Sequence, residues 1–212
     1  MDGTNSSGPV SDPTEPMIDS ELVRAFQKEA REEAFDELVR RYQSLVINMA
    51  YQMLQNHDEA VEAAQDVFVK VYHALPQFEE RSSFKTWLYT ITRRVVLNRI
   101  RHLASRKASA HVSLQHEDYG EALAARPELT STVQPDHELM SAERFGQLTG
   151  AIGKLDPDHR EILILREIQE LSYDEIAVIT GLNVGTVKSR ISRAREELKT
   201  ILKRLGIGAK YE

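Results

Sequence analysis

LSYDEIAVITGLNVGTVKSRISRAR, residues 171–195, decides the fold of the carboxy-terminal half of this chain. Ser172, Tyr173, Asp174 and Glu175 form a capping box: the serine hydroxyl can accept from the amide three residues on, while Glu175 reaches back. The box opens a short helix with Ile176, Ala177 and Ile179 turned inward. Gly181 can take the left-handed conformation that stops a helix, and Asn183 can cap the next one. Ala177 is small where two helices must cross closely, Gly181 turns the chain four residues later, and Val187 locks the second helix six residues beyond. That spacing predicts a helix-turn-helix whose second helix enters the DNA major groove. Its outward residues are Thr186, Lys188, Ser189, Arg190, Arg193 and Arg195, with Asn183 at its start. Arginine can pair bidentately with guanine, while lysine and serine suit phosphate oxygens.

Upstream, Ile152, Leu155, Ile162, Leu163 and Leu165 predict a helix that restarts at Asp156-Pro157. Periodicity fades between Ala108 and His137, where Gly120, Pro127 and Pro135 fall, so residues 108–137 read as a flexible acidic linker. The amino-terminal half is helical throughout. A short helix is expected over residues 18–28. A longer one carries Phe35, Leu38, Val39, Tyr42, Leu45, Val46, Met49, Ala50, Met53 and Leu54 at steps of three and four. Asn56-His57-Asp58 breaks it, with Asp58 as the expected cap of a third helix that buries Ala60, Ala64, Val67, Phe68, Val71 and Leu75. Pro76 ends that helix, and Ser82-Ser83 can cap a fourth running through Trp87, Ile91, Val95 and Ile100.

The expected fold class is all-α: two small helical domains joined by a flexible linker, the second a helix-turn-helix domain. The boundaries are a disordered tail at 1–17, a first domain at 18–107, the linker at 108–137 and the second domain at 138–212.

The formal net charge is −6, yet the charge is segregated. Residues 81–107 hold eight Lys/Arg and no Asp or Glu, and residues 188–204 hold seven basic residues against two acidic. Two basic patches on an acidic chain point to two contacts with a polyanion. On the fourth helix, Tyr89, Arg93, Arg94, Asn98, Arg99 and Arg101 interleave ring and cation, which suits unpaired bases and their phosphates. Trp87 shares a stripe with Phe84, Ile91 and Val95 and reads as core more than as a stacking platform. The polar face of the third helix (Glu62, Gln65, Asp66, Lys70) reads, by itself, as solvated.

Cysteine is absent, which excludes disulfides and thiol chemistry and fits a cytoplasmic location. No apolar run reaches the ~20 residues needed for a membrane span. The seven histidines are scattered singly, and no metal-ligand motif, phosphate-cradling glycine loop or nucleophile elbow occurs. No cofactor, no metal and no catalysis are expected. A conventional repressor with a ligand-sensing first domain is the main rival reading.

The chain resembles the extracytoplasmic-function sigma factors along nearly its whole length. The resemblance rests on AFDELVRRY (residues 34–42), AQDVFVKVY (64–72), FKTWLYTI (84–91), LSYDEIA (171–177) and GTVKSRISRAR (185–195), in the family order. It implies that the first domain docks on the clamp helices of the RNA polymerase largest subunit through the segment containing Glu62, Gln65, Asp66 and Lys70. It further implies opening of the promoter minus-ten element by the loop at 76–83 and the helix after it, and reading of the minus-thirty-five element by residues 184–195. A contact to the flap of the second-largest subunit and an anti-sigma partner are implied as well. Two departures bear on this. Arg94 stands where many members have asparagine, so minus-ten preference does not carry over and Asn98 is the substitute candidate. The usual Gly-Asp before Ala-Phe is replaced by residues 29–33, EAREE, so the first helix is expected to run on without a turn.

Overall fold

In the computed structural model, residues 17–111 and 146–207 are described. They are helical, with no strand among the described residues. The first half comprises α1 (Asp19–Glu29), α2 (Glu32–Leu54), α3 (His57–Ala74), a 3₁₀ turn (Leu75–Gln77) and α4 (Phe84–His111). The second comprises α5 (helical at 146–153), α6 (Pro157–Leu163), a π turn (Ile164–Ile168), α7 (Tyr173–Thr180) and α8 (Val184–Arg204).

The stripe read from residues 35–54 buries Leu38, Val46, Met49, Ala50 and Met53 against Ala60, Ala63, Ala64, Val67 and Val71 of α3. Small residues on α3 let the two helix axes approach closely. α4 closes the bundle with Phe84, Leu88, Val95 and Val96. α1 lies across one end, where Phe26, Phe35 and Tyr72 form a triad with ring centroids 5.1–5.6 Å apart. The amide of Gln27 donates to the carbonyls of Leu75 and Phe78 at 2.9 Å each, pinning the loop that precedes α4.

Four local expectations are corrected. The first helix does not run on: Ala30 takes a left-handed conformation (φ +49°), its N–H donates to the Phe26 carbonyl and the Arg31 N–H to the Ala25 carbonyl. The Phe26–Phe35 contact across that turn supplies the apolar burial that holds it without a glycine. The cap of α3 is Asn56, whose side chain accepts from the Glu59 N–H at 3.0 Å, rather than Asp58. α4 extends past the expected boundary at 107 to His111; the rest of the expected linker and the tail at 1–16 lie outside the described residues. Finally, the buried face of α4 includes Tyr89 and Thr92 beside the apolar stripe, because α4 is covered on one side by α2 and α3 and on another by α7.

In the second half Asp156 caps α6 and Pro157 occupies its first turn. Ser172 and Glu175 form the expected capping box, Gly181 ends α7 at φ +73°, and Asn183 caps α8. Ile176, Ile179, Val187, Ile191 and Ala194 close the helix-turn-helix core.

Candidate nucleic-acid interface

The start of α8 is built by its cap. Asn183 Oδ1 accepts from the Thr186 N–H at 2.8 Å and from the Thr186 hydroxyl at 2.9 Å, so both side chains are committed to the first turn. No acidic residue occupies that turn, leaving the positive end of the helix dipole for an anion. Lys188, Ser189 and Arg193 are exposed on one face. The other two arginines are engaged within the second half: Arg190 pairs with Asp158 at 3.0 Å and Arg195 with Glu167 at 2.6 Å. The Lys188 ammonium lies 5.8 Å from the Tyr173 ring centroid. Ser172 donates backbone and side-chain hydrogen bonds to Glu175, holding its carboxyl below the ordinary range and keeping the box charged.

On α4 the six named residues divide. Arg94, Asn98 and Arg101, spaced at four and three, are exposed on one face and line an open groove between α3 and α4 together with Lys70, His102 and Arg106. Arg106 and His102 are additions to the set named from sequence; both follow the same helical spacing. Arg99 lies at the edge of this groove among carboxylates, ion-paired with Glu59, Glu62 and Asp66. Tyr89 and Arg93 face the second half. Tyr89 is fully buried, against the expectation that it is open to contact, and its hydroxyl donates to Gln169 at 2.6 Å. Burial raises its phenol above the ordinary range. Arg93 forms a two-pronged pair with Glu161. Burial pushes the Glu161 carboxyl up and Arg93 pulls it back, with burial the larger effect. Glu161 and Gln169 carry no local signal that would mark them in the sequence.

The outer face of α3 presents Glu62, Gln65, Asp66 and Lys70, all exposed. Arg99 links two of these to α4, so the polar face of α3 and the basic face of α4 are one connected surface. Val69 and Tyr72 add exposed apolar area beside it.

Residues 38–106 match the family description "Sigma-70 region 2" and residues 145–198 match "Sigma-70, region 4". The RNA polymerase sigma-H factor of Pseudomonas aeruginosa is 33% identical over 187 residues, covering 88% of this chain and 95% of that protein. The ECF RNA polymerase sigma-E factor of Escherichia coli is 35% identical over 185 residues, covering 87% and 94%. Among solved structures, the sigma factor RpoE in complex with the anti-sigma factor NepR from Bartonella quintana superposes with a TM-score of 0.62 at 27% identity, covering 80% of this chain and 96% of that one. With both regions matched in order and full-length relatives above 30% identity, the chain belongs to the extracytoplasmic-function family of RNA polymerase sigma factors.

Proposed function

We propose that this sigma factor joins core RNA polymerase and directs it to promoters by holding two separate DNA elements. The observation that carries the reading is the capped helix-turn-helix, which leaves Lys188, Ser189 and Arg193 on one exposed face beside an acid-free helix start. α8 reads the minus-thirty-five duplex, with Arg193 on a base edge and Lys188 and Ser189 on phosphates. Arg190 joins them once it leaves Asp158. The groove face of α4, with Arg94, Asn98 and Arg101, takes the minus-ten strand. Arg94 supplies a cation on this face. The α3 face (Glu62, Gln65, Asp66, Lys70) docks on the polymerase clamp, and the second half meets the flap.

Tethering both regions to one polymerase raises the effective concentration of each for its own element. Contacts to unpaired bases and to polymerase offset an unpairing cost of ~1.4 kcal/mol per base-pair step. The factor performs no chemistry itself. No described helix is long and apolar enough to cross a membrane; we place its action in the cytoplasm, under the control of an anti-sigma protein.

Run-off transcription with purified core polymerase on a promoter library tests this. Arg193→Ala is expected to cost ~1–3 kcal/mol of binding and to relax selectivity at one base, while Lys188→Ala weakens all sequences alike. Unchanged transcription from both variants sinks the assignment of α8.

A further inference from the structure

The loop between α3 and α4 is fastened along its whole length, and much of the fastening comes from α1. The Gln27 carboxamide donates to the carbonyls of Leu75 and Phe78 at 2.9 Å each. The Leu75 carbonyl also accepts from the Phe78 N–H at 3.1 Å, so Gln27 closes a ring with the 3₁₀ turn itself. Phe78 is thereby set with its ring buried on Trp87, centroids 4.7 Å apart, and beside Phe84 at 6.3 Å. At the tip, Glu80 stands in a left-handed conformation, φ +53°, which a residue with a side chain adopts only when its surroundings impose it. Arg24, on the same face of α1 as Gln27, holds the Glu80 carboxylate with two N–H groups at 3.1 and 3.2 Å. At the far end the Ser83 hydroxyl accepts from the Thr86 N–H at 3.1 Å and starts α4. Between these fastenings Gln77, Glu79, Arg81 and Ser83 are exposed. An exposed ion pair such as Arg24–Glu80 contributes little alone, whereas the Gln27 bonds are part-buried and satisfy backbone carbonyls. A segment that only connects two helices needs no such hold, since connections are commonly the mobile part of a surface.

We propose that Gln27, seconded by Arg24, is a positioning residue for base reading: from α1 it holds the loop in one shape, so that an unpaired strand meets a preformed surface instead of a segment that must order on binding. The specificity role rests on the minus-ten reading proposed for this end of region 2; the hold on the loop does not. Binding of a single strand then has two separable parts. Attraction of phosphates to Arg94 and Arg101 depends on charge and is indifferent to the shape of the loop. Discrimination between bases depends on loop groups staying within hydrogen-bond reach of a base edge, and a loop free to move accommodates any base at the entropic cost of ordering. Loosening Gln27 therefore flattens base preference and leaves salt-dependent binding in place. A residue that merely stabilised the fold would weaken both parts together.

Trp87 is the single tryptophan of the chain and lies on Phe78, so acrylamide quenching of its emission reports whether the loop is seated. The full chain is compared with Gln27→Met, which keeps the length of the side chain and removes its donors, and with Gln27→Lys, which restores a donor. The quenching constant should rise in Gln27→Met, with folding checked by circular dichroism, and return toward the parent in Gln27→Lys. In parallel, fluorescent single-stranded hexamers that differ one base at a time, drawn from a promoter selected by run-off transcription with the parent, are bound over a salt series. At one position the parent's preference, about tenfold per wrong base, should shrink toward one in Gln27→Met, while the other preferences and the salt slope hold. Equal quenching in the parent and Gln27→Met overturns the hold. A looser Trp87 with every base preference intact overturns the specificity role while the hold stands. Affinity, preferences and melting temperature falling together overturn positioning and leave Gln27 a fold-stabilising residue. No base preference in the parent itself overturns the minus-ten reading and the specificity role with it, and quenching still decides the hold.

Discussion

Replacing Asn183 by alanine separates two roles that converge on the first turn of α8. The side chain accepts from the Thr186 N–H and the Thr186 hydroxyl, and neither bond survives truncation. Loss of an N-cap of this kind costs ~1 kcal/mol, within a range of about 0.5–2. If region 4 melts by itself, that corresponds to a drop of about 4–8 °C; if both halves melt as one unit, to about 2–4 °C. Asn183→Asp preserves the acceptor and adds a favourable interaction with the helix dipole of about 0.3–1 kcal/mol, so it should melt at or above the parent. It also sets a negative charge where the proposed phosphate contact lies. Its affinity for a minus-thirty-five duplex should fall, and the slope of log K against log salt should shrink by about 0.9 for each phosphate that the variant no longer neutralises. Thermal melting at 222 nm and a salt series by fluorescence anisotropy read the two effects independently. If the alanine variant melts like the parent and the aspartate variant melts lower, Asn183 does not hold the helix start. If the aspartate variant binds duplex with an unchanged salt slope, the first turn of α8 does not face phosphate.

Ala30 holds a left-handed conformation at φ +49°, so Ala30→Gly should stabilise the first half by roughly 0.5–1 kcal/mol despite glycine's greater unfolded-state entropy, seen as a raised urea midpoint with an unchanged m-value. Phe26→Ala removes the centre of the Phe26–Phe35–Tyr72 triad and should cost about 3–5 kcal/mol in the same assay. Acid should destabilise the fold. Glu37 beside Arg41 and Arg40, Glu175 beside Ser172, and Glu197 beside His159 are all held below the ordinary carboxylate value of 4.5. Their contribution is complete above that value and fades as pH falls through each lowered one. Glu161, raised by burial, runs the opposite way: its buried carboxyl gains stability as pH falls through its raised value. A titration of stability between pH 6 and pH 3 that shows no decline would contradict the first three assignments together.

Local grammar was readable where a few residues settle the backbone. Ser172 with Glu175, Gly181, Asn183 and Asp156-Pro157 each specify a helix boundary within one turn, and the structure places all of them accordingly. The stripe from Phe35 to Leu54 is long enough for its period to define a face. What periodicity could not supply is whatever depends on a partner far along the chain. Tyr89 reads as an exposed ring among cations because its cover, Gln169, lies 80 residues away. Arg93 and Arg99 look equivalent in a string of basic residues, yet one meets Glu161 and the other three carboxylates of α3. The turn at Ala30 escaped because it is held by the packing of Phe26 on Phe35 rather than by a residue with a left-handed preference.

Of the eight cations between residues 81 and 107, Arg81, Arg93 and Arg99 are each matched by a carboxylate among the described residues. An incoming duplex therefore meets a far less cationic surface than the one-letter string suggests. A cation that stays in its pair neutralises no phosphate, and each phosphate left uncontacted removes about 0.9 from the slope that measures counterion release. Attraction to duplex DNA of arbitrary sequence is thereby weaker than eight free cations would give.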